Sequence, residues 1–279
     1  MRLNESFCNT RQVLADNGID DASLEGELLL RQTLRIDRVQ FYQNLEQDIT
    51  MEQQDILRRL LQRRLRGEPL AYIRSHCEFY GLDFYVNNNV LIPRPETEYL
   101  LEITLNLVRK HSRLLIADVG TGCGIIAISL ALNLPQVNIY AIDISAPALR
   151  VARLNCFRHG VTDKIKLFNG NMLDPLPQPV NFIIANLPYV RKSELDKHSF
   201  EPQLALDGGI DGLKNIRRLC HQVSDKLLPG GCLLMEIGKG QKEAVTSLLN
   251  NLFPTADIEV MPDLSGIDRV ISMTLPQEK

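Results

Sequence analysis

The sequence is poor in aromatic residues and contains no long apolar run. Tryptophan is absent, and aromatic residues make up 6% of the 279 positions. A membrane-spanning helix needs roughly 18 consecutive apolar residues, which no stretch approaches, and the polar start MRLNESFCNT has no signal-peptide core. These absences predict a cytoplasmic protein without a membrane partner.

The charge and the cysteine pattern argue against two further classes of protein. A formal net charge of -3 creates no basic field, which disfavours a protein that coats nucleic acid. The six cysteines and five histidines are scattered, with no C-x-x-C pair and no spacing typical of zinc ligands. We therefore expect reduced thiols and no metal site.

The chain up to about residue 70 has the apolar spacing of helices. Gly18 follows one such pattern and suits the left-handed backbone just beyond a helix end. Thr50 and Gln53 form a capping-box pattern ahead of a helix that carries Arg58, Arg59, Arg63, Arg64 and Arg66. For this arginine-rich helix, 58–66, a solvated face and a docking patch for an acidic or ribosomal partner remain alternatives.

Strand patterns begin after the helical region. Residues 78–95, EFYGLDFYVNNNVLIPRP, predict a β-hairpin with its turn at Asn87–Asn89. Strands and helices then alternate in LLIADVG, GIIAISLALN, NIYAID, APALRVARLNCFRHG and KIKLFNG, which favours a parallel sheet covered on both faces. Four more strands follow, and only LSGI separates the last two, so these should pair antiparallel.

These patterns predict an α/β fold class. The sheet should be Rossmann-like, seven-stranded and mostly parallel, with an antiparallel C-terminal hairpin. A small N-terminal helical bundle and a linking β-hairpin should precede it. The expected domains are a helical domain at 1–75, the linker hairpin at 76–95 and the α/β domain at 96–279.

A glycine-rich loop, DVGTGCG (118–124), joins the first strand of the α/β domain to the next helix. Such a turn leaves backbone N–H groups pointing into the crevice beyond the strand ends, and Gly120, Gly122 and Gly124 allow a ligand to approach closely. A dinucleotide fingerprint has Gly or Ala at its sixth position, where this chain has Ile125. The loop therefore favours a smaller adenosine-containing ligand over NAD.

Polar residues also follow the next two strands. Asp143 ends the second strand, where its carboxylate can accept hydrogen bonds from both hydroxyls of a ribose. Capping the next helix is the alternative role of Asp143. Asn171 comes after the third strand and could bond an adenine edge, with Met172 packed on the ring, although an ordinary loop is an equal alternative.

Three motifs, DVGTGCG, AIDIS and NLPY (186–189), together resemble class I S-adenosylmethionine-dependent methyltransferases, in which such a tetrapeptide is typical of enzymes that methylate a planar amide or an exocyclic amine. The wider context RGEPLAYI, EFYGLDF, LIPRPETE, FEPQLALDGGIDGL and EIGKGQ is similar to the peptide chain release factor N5-glutamine methyltransferases, the PrmC or HemK family. The resemblance covers nearly the whole chain from residue 67 onward.

The resemblance implies methyl transfer from S-adenosylmethionine to the N5 amide nitrogen of a glutamine, leaving S-adenosylhomocysteine. The implied substrates are class I release factors with a Gly-Gly-Gln loop, bound through the helical domain by a monomer that does not contact nucleic acid directly. The catalytic and substrate-binding residues would be Asn186, Leu187, Pro188 and Tyr189. The cofactor-binding residues would be Asp118, Gly120, Thr121, Gly122, Cys123, Gly124, Asp143, Asn171, Met172 and Asn186.

The chemistry of an amide explains this tetrapeptide. The amide nitrogen is a poor nucleophile, so positioning must supply much of the catalysis. The Asn186 side-chain oxygen and the Leu187 carbonyl could accept both N–H groups of the incoming amide, with the Tyr189 ring as a wall. Pro188 biases Leu187 towards an extended backbone.

Leu187 stands where the family usually has a first proline. Asn-Leu-Pro-Tyr is also the form associated with ribosomal RNA adenine N6-methyltransferases, which stay the alternative. In LIPRPETE, Thr97 and Glu98 lie near a helix start that could border the methionine end of the cofactor, and a domain-linking turn fits the spacing equally.

Overall fold

Helices make up the first part of the chain in the computed structural model, which describes residues 1–108 and 114–277. The chain divides into two units, Met1–Ser75 and His76–Lys279. The first contains α1 (Leu3–Asp16), α2 (Ala22–Leu34), α3 (Arg38–Gln43), α4 (Met51–Leu65) and α5 (Leu70–Arg74). Its core contains Leu14, Leu29, Leu30 and Phe41, all fully buried.

Both helix-end signals in this unit are confirmed. Gly18 follows α1 with a φ of 74°, so a residue without Cβ relieves the strain of the left-handed backbone. At the start of α4, the Gln53 N–H donates to Thr50 Oγ1 at 3.2 Å, and the Thr50 N–H donates to Gln53 Oε1 at 2.8 Å. This reciprocal pair satisfies two N–H groups at the start of the helix that have no partner within it.

The arginine-rich helix corresponds to most of α4. Arg63 donates to both carboxylate oxygens of Glu68 at 2.7 and 2.6 Å, and Arg64 donates to both oxygens of Glu25 at 2.6 and 3.1 Å. These two arginines therefore stabilise the helical unit itself. The arginines with exposed side chains are Arg58, Arg59 and Arg66.

The second unit opens with a short β-hairpin of β1 (Cys77–Phe79) and β2 (Leu82–Phe84). Its turn is Tyr80–Gly81, where both residues have positive φ, 52° and 69°. The prediction of the hairpin turn at Asn87–Asn89 is therefore wrong. That segment does form a turn, in which the Val90 N–H donates to the Asn87 carbonyl at 3.1 Å, but it follows the hairpin. A tyrosine in the left-handed region gives no sequence signal for a turn.

A seven-stranded sheet forms the rest of the unit, as predicted, in the order β5-β4-β3-β6-β7-β9-β8. Its strands β3 to β7 run parallel, and β9 is antiparallel to both β7 and β8. The elements in chain order are α6 (Pro95–Val108), β3 (Leu114–Val119), α7 (Ile125–Asn133), β4 (Val137–Asp143), α8 (Ala146–Arg158), β5 (Ile165–Asn169), β6 (Val180–Ala185), α9 (Lys214–Cys220), β7 (Leu227–Glu236), α10 (Lys242–Leu252), β8 (Asp257–Pro262) and β9 (Asp268–Thr274).

Both faces of the sheet are buried. Successive residues of a strand belong to different apolar clusters, as Ile183 and Ile184 of β6 do, because successive side chains point to opposite faces. The strand order reverses between β3 and β6, which pair in parallel with Val119 opposite Ala185. The loops that follow these two strands therefore emerge side by side at the sheet edge where ligands bind in such folds.

No helix in residues 1–108 or 114–277 is long and apolar enough to cross a membrane. Over the same residues, no group of three or more His, Cys, Asp or Glu side chains is placed to hold a metal ion.

Candidate active site

A cavity lies at the carboxyl ends of β3, β4 and β6. The predicted site residues that line it are Gly120, Gly122, Asp143, Asn171, Met172, Asn186, Leu187 and Pro188. The structure thus brings residues from four separate loops together around one space. The other predicted residues, Asp118, Thr121, Cys123, Gly124 and Tyr189, lie behind this lining.

The glycine loop is held from below by Asp118. Its Oδ2 accepts hydrogen bonds from Thr121 Oγ1 at 2.6 Å and from the Ala127 N–H at 3.2 Å, and the side chain is fully buried. Its other oxygen has no partner among the described residues. Burial raises the pKa of this carboxyl to about 6, against the bonds from Thr121 and Ala127. Asp118 therefore stabilises the glycine loop through its bonds to Thr121 and Ala127, from the buried side of the loop.

Glycine is required at two points of this loop for different reasons. A Cβ at Gly120 would lie 3.2 Å from Leu187 Cδ2, so the loops after β3 and β6 can approach closely only without it. A Cβ at Gly122, which lines the cavity, would meet only the Gly120 carbonyl, at 4.0 Å. Both residues also have positive φ, 77° and 55°.

Asp143 forms the wall opposite this loop. Its Oδ2 accepts from the Gly122 N–H at 2.9 Å, and its Oδ1 accepts from the Ser145 N–H at 2.8 Å. Ser145, whose Oγ accepts from the Ala148 N–H at 3.2 Å, is the residue that caps α8. Burial raises the pKa of the Asp143 carboxyl, opposed by the bonds from Ser145 and Gly122. Each of its oxygens keeps a lone pair for a further donor.

The tetrapeptide after β6 is bound through its side chains. Asn186 Nδ2 donates to Thr97 Oγ1 at 2.9 Å, and Thr97 Oγ1 donates to Glu236 Oε2 at 2.8 Å. The Tyr189 hydroxyl donates to the other Glu236 oxygen at 3.0 Å. Glu236 ends β7 and is 2% exposed. Burial raises the pKa of its carboxyl, while the bonds from Thr97 and Tyr189 and the charge of Arg269 oppose the shift.

The same tetrapeptide is bound through two of its carbonyls. Asn215 Nδ2 donates to the Pro188 carbonyl at 3.0 Å, and Gln241 Nε2 donates to the Tyr189 carbonyl at 3.2 Å. In the described part of the chain, no donor reaches the carbonyl of Leu187, which precedes Pro188. The loop therefore leaves the Leu187 carbonyl as an unpaired backbone acceptor next to Asn186.

Glu201 joins two segments near this cavity. It accepts from Arg94 Nη2 at 2.5 Å and from the Ile92 N–H at 3.0 Å. The sequence reasoning did not identify Glu201, Asn215, Glu236 or Gln241 as site residues. Glu201, Glu236 and Gln241 lie in the segments FEPQLALDGGIDGL and EIGKGQ that carry the family resemblance, which is the signal that could have found them.

The order of the sheet and the glycine loop beside an Asn-Leu-Pro-Tyr turn define a class I methyltransferase. Two family models match the chain, the PrmC N-terminal domain over residues 8–74 and the methyltransferase small domain over residues 97–203. A solved methyltransferase from Pyrococcus furiosus is 15% identical, covers 77% of this chain and 98% of its own, and has a TM-score of 0.55. At that identity it shows the shared fold.

Curated relatives narrow the class. The release factor glutamine methyltransferase of Neisseria gonorrhoeae is 40% identical over 88% of this chain and 91% of its own. That of Geobacter sulfurreducens is 38% identical over 94% of this chain and 93% of its own. The chain belongs to the release factor glutamine methyltransferase family, as its motifs predicted.

The cavity fits S-adenosylmethionine, the methyl donor of this family. Asp143 offers carboxylate lone pairs of the kind that bind ribose hydroxyls. Gly120 and Gly122 place backbone without side chains along the wall, and Asn171 and Met172 supply an amide and an apolar side chain. Gly122 lines this space, and a Cβ there would have only the Gly120 carbonyl within 4.0 Å.

Proposed function

We propose that this chain transfers a methyl group from S-adenosylmethionine to the side-chain amide nitrogen of a glutamine, in the Gly-Gly-Gln loop of a class I release factor. One observation supports it above the others. The Leu187 carbonyl accepts no hydrogen bond in the described part of the chain. The neighbouring Asn186 donates its NH₂ group to Thr97, which leaves its side-chain oxygen as an acceptor. Two acceptors are thus left beside the cavity, which matches the two N–H groups of a glutamine amide.

The chain's own contribution is positioning. The Asn186 oxygen and the Leu187 carbonyl would hold both N–H groups, so that the nitrogen faces the cavity. Bound there, S-adenosylmethionine would supply an electrophilic methyl group on a sulfonium. As the nitrogen gains positive charge, its N–H groups become stronger donors, and the two acceptors stabilise the transition state more than the ground state.

The residues proposed to hold the cofactor are those that line the cavity, Gly120, Gly122, Asp143, Asn171 and Met172. Asp118, Thr121, Cys123 and Gly124 support that wall from behind. Cys123 contributes through its backbone, because its carbonyl accepts from Asn155 Nδ2 at 2.9 Å. Its thiol stays protonated, since burial raises the pKa of the thiol to about 12. We propose that the ring of Tyr189 packs against the plane of the substrate amide. The Tyr189 hydroxyl donates to Glu236.

Substrate docking is the proposed task of the helical unit, residues 1–75. The exposed arginines Arg58 and Arg59 of α4 and Arg66 just after it support a surface for an acidic partner. We further propose that the chain acts as a cytoplasmic monomer on the release factor protein, without direct contact to nucleic acid or membrane.

Transfer of a tritiated methyl group to a purified release factor, with mass spectrometry of the Gly-Gly-Gln peptide, tests the proposal. Asn186→Ala should lower kcat by roughly 10²-fold or more, because one acceptor is lost. Asn251→Ala, on an exposed position of α10, is the matched control and should transfer at the wild-type rate. Label in purified ribosomal RNA, with none in the release factor, would instead establish the adenine methyltransferase.

A further inference from the structure

The side chain of Asn186 can serve as an acceptor in only one of its two orientations. Rotation of an amide by half a turn exchanges its oxygen and its NH₂ group with little change in shape. The proposed function needs the oxygen towards the substrate, because an incoming amide presents donors. Some other group must therefore select the orientation of Asn186.

Counting protons identifies that group. An ionised carboxylate only accepts hydrogen bonds. With Glu236 ionised, Thr97 Oγ1, 2.8 Å from Glu236 Oε2, therefore directs its single proton to Glu236. The Thr97 oxygen is then restricted to accepting, and the Asn186 atom 2.9 Å away must be the donor Nδ2. The Asn186 oxygen consequently points away from Thr97.

We propose that Glu236 is a positioning residue that sets the orientation of the Asn186 amide through Thr97. This inference rests on the proposed function, in which the Asn186 oxygen holds the substrate. The three residues come from β7, α6 and the loop after β6, and both Glu236 and Thr97 are at most 2% exposed. Water therefore cannot replace either partner, and the direction of the hydrogen bonds is inherited from one buried carboxylate.

Removing the carboxylate should reverse the chain of hydrogen bonds. In Glu236→Met, the Thr97 proton loses its acceptor, and we expect the Asn186 amide, 2.9 Å from Thr97 Oγ1, to turn and present its oxygen to Thr97. NH₂ would then face the substrate amide, and kcat should fall roughly 10²-fold. Thr97→Val, which replaces the hydroxyl by a methyl group, should cause a loss of similar size, and Thr97→Ser should restore transfer.

A control on the same helix separates positioning from packing. Thr104 of α6 is also fully buried, and its Oγ1 donates to the Leu100 carbonyl at 2.8 Å. Thr104→Val removes a buried hydroxyl away from Asn186 and should transfer at the wild-type rate. Calorimetric titration should give the wild-type dissociation constant for S-adenosylmethionine in all four single variants.

The decisive measurement is substrate preference, for which a purely structural role makes no prediction. A release factor whose target glutamine is replaced by glutamate presents acceptors instead of donors. In competition assays at about pH 8, where carboxylates are ionised, the wild-type chain should prefer the glutamine form. In Glu236→Met the preference should move towards the glutamate form by about tenfold or more, because an NH₂ group now faces the ligand.

The outcomes distinguish the two proposals. Wild-type rates in both Glu236→Met and Thr97→Val would overturn the role of Glu236 and leave the proposed function intact. Equal weakening of the glutamine and glutamate forms, without recovery in Thr97→Ser, would overturn it too. A double variant that combines Glu236→Met with Thr97→Val and transfers no more slowly than the slower single variant supports one shared chain of hydrogen bonds. Additive losses of rate in the double variant contradict it. Absence of transfer in the wild-type chain would refute the proposed function itself.

Discussion

At the scale of single residues, the site depends on side chains that bind backbone carbonyls. Asn215 donates to the carbonyls of both Pro188 and Asp207 at 3.0 Å. It therefore joins the turn after β6 to the segment that precedes α9. Its bond to the Pro188 carbonyl holds the backbone next to the unpaired carbonyl of Leu187.

We expect Asn215→Ala to lower kcat about tenfold, because a misplaced acceptor weakens the grip on the substrate nitrogen. The unfolding temperature should change little, since Asn215 is only partly buried. Single-turnover kinetics with a release factor, compared with Asn251→Ala, check this. Equal rates in the two variants would show that Asn215 does not position the loop.

Sequence reasoning reached some of these residues and missed others for a physical reason. Asn186 and Asp143 each follow a strand pattern, so their place at the sheet edge is predictable from local order. Glu236 acts on Thr97 across 139 positions and on Tyr189 across 47. Contacts of that range depend on how β7 and α6 pack, and no local pattern encodes it.

At the scale of elements, one buried asparagine links the β-hairpin, α8 and the glycine loop. Asn155 of α8 accepts from the Tyr85 N–H at 2.9 Å and donates to the carbonyls of Tyr85 and Cys123, each also at 2.9 Å. Its side chain is fully buried. The hairpin is thereby attached to the cofactor wall of the α/β unit.

Asn155→Ala should lower the free energy of unfolding by about 3 kcal/mol, because one buried and two partly buried backbone groups lose their partner. Its matched control is Asn133→Ala at the exposed end of α7, which removes one bond to the Ser129 carbonyl and should cost less than about 1 kcal/mol. Urea denaturation of both variants measures the difference. A cost for Asn155→Ala no larger than the control's would show that water replaces these bonds.

Elements were predictable wherever apolar periodicity is strong. Each strand of the sheet has its pattern, and the short LSGI connection correctly predicted the antiparallel pairing of β8 and β9. Helices α9 and α10 were not predicted, and the turn of the first hairpin was misplaced because Tyr80 adopts a positive φ of 52°. The three asparagines correctly predicted a turn at 87–90. They did not predict which strands pair with each other.

At the scale of the whole molecule, the buried carboxyl of Asp118 makes stability depend on pH. Its pKa is raised from 3.8 to about 6 on folding, chiefly by burial. A group whose pKa is raised in the folded state binds more protons there, so its contribution is complete below about pH 4 and is lost as pH rises through about 6. Across this window the free energy of unfolding should fall by about 3 kcal/mol from this group.

Asp118→Asn should remove that dependence. The asparagine oxygen can still accept from Thr121 and the Ala127 N–H, as the Asp118 Oδ2 does. Without cofactor, the variant should equal the wild type near pH 4 and exceed its unfolding free energy by about 3 kcal/mol near pH 8. Urea titrations at a series of pH values check it, and parallel curves for the two proteins would contradict it.

The two acceptors proposed at Asn186 and Leu187 would also limit the reaction to one methyl group. A glutamine amide enters with two hydrogens on its nitrogen, and the methylated product keeps one. A methylated side chain can therefore donate to only one of the two acceptors. Its new methyl group would lie against the other acceptor oxygen, which would be left without a hydrogen bond. The enzyme should therefore bind the methylated glutamine more weakly than the unmodified one. The product is then released, and a second methylation of the same nitrogen is disfavoured.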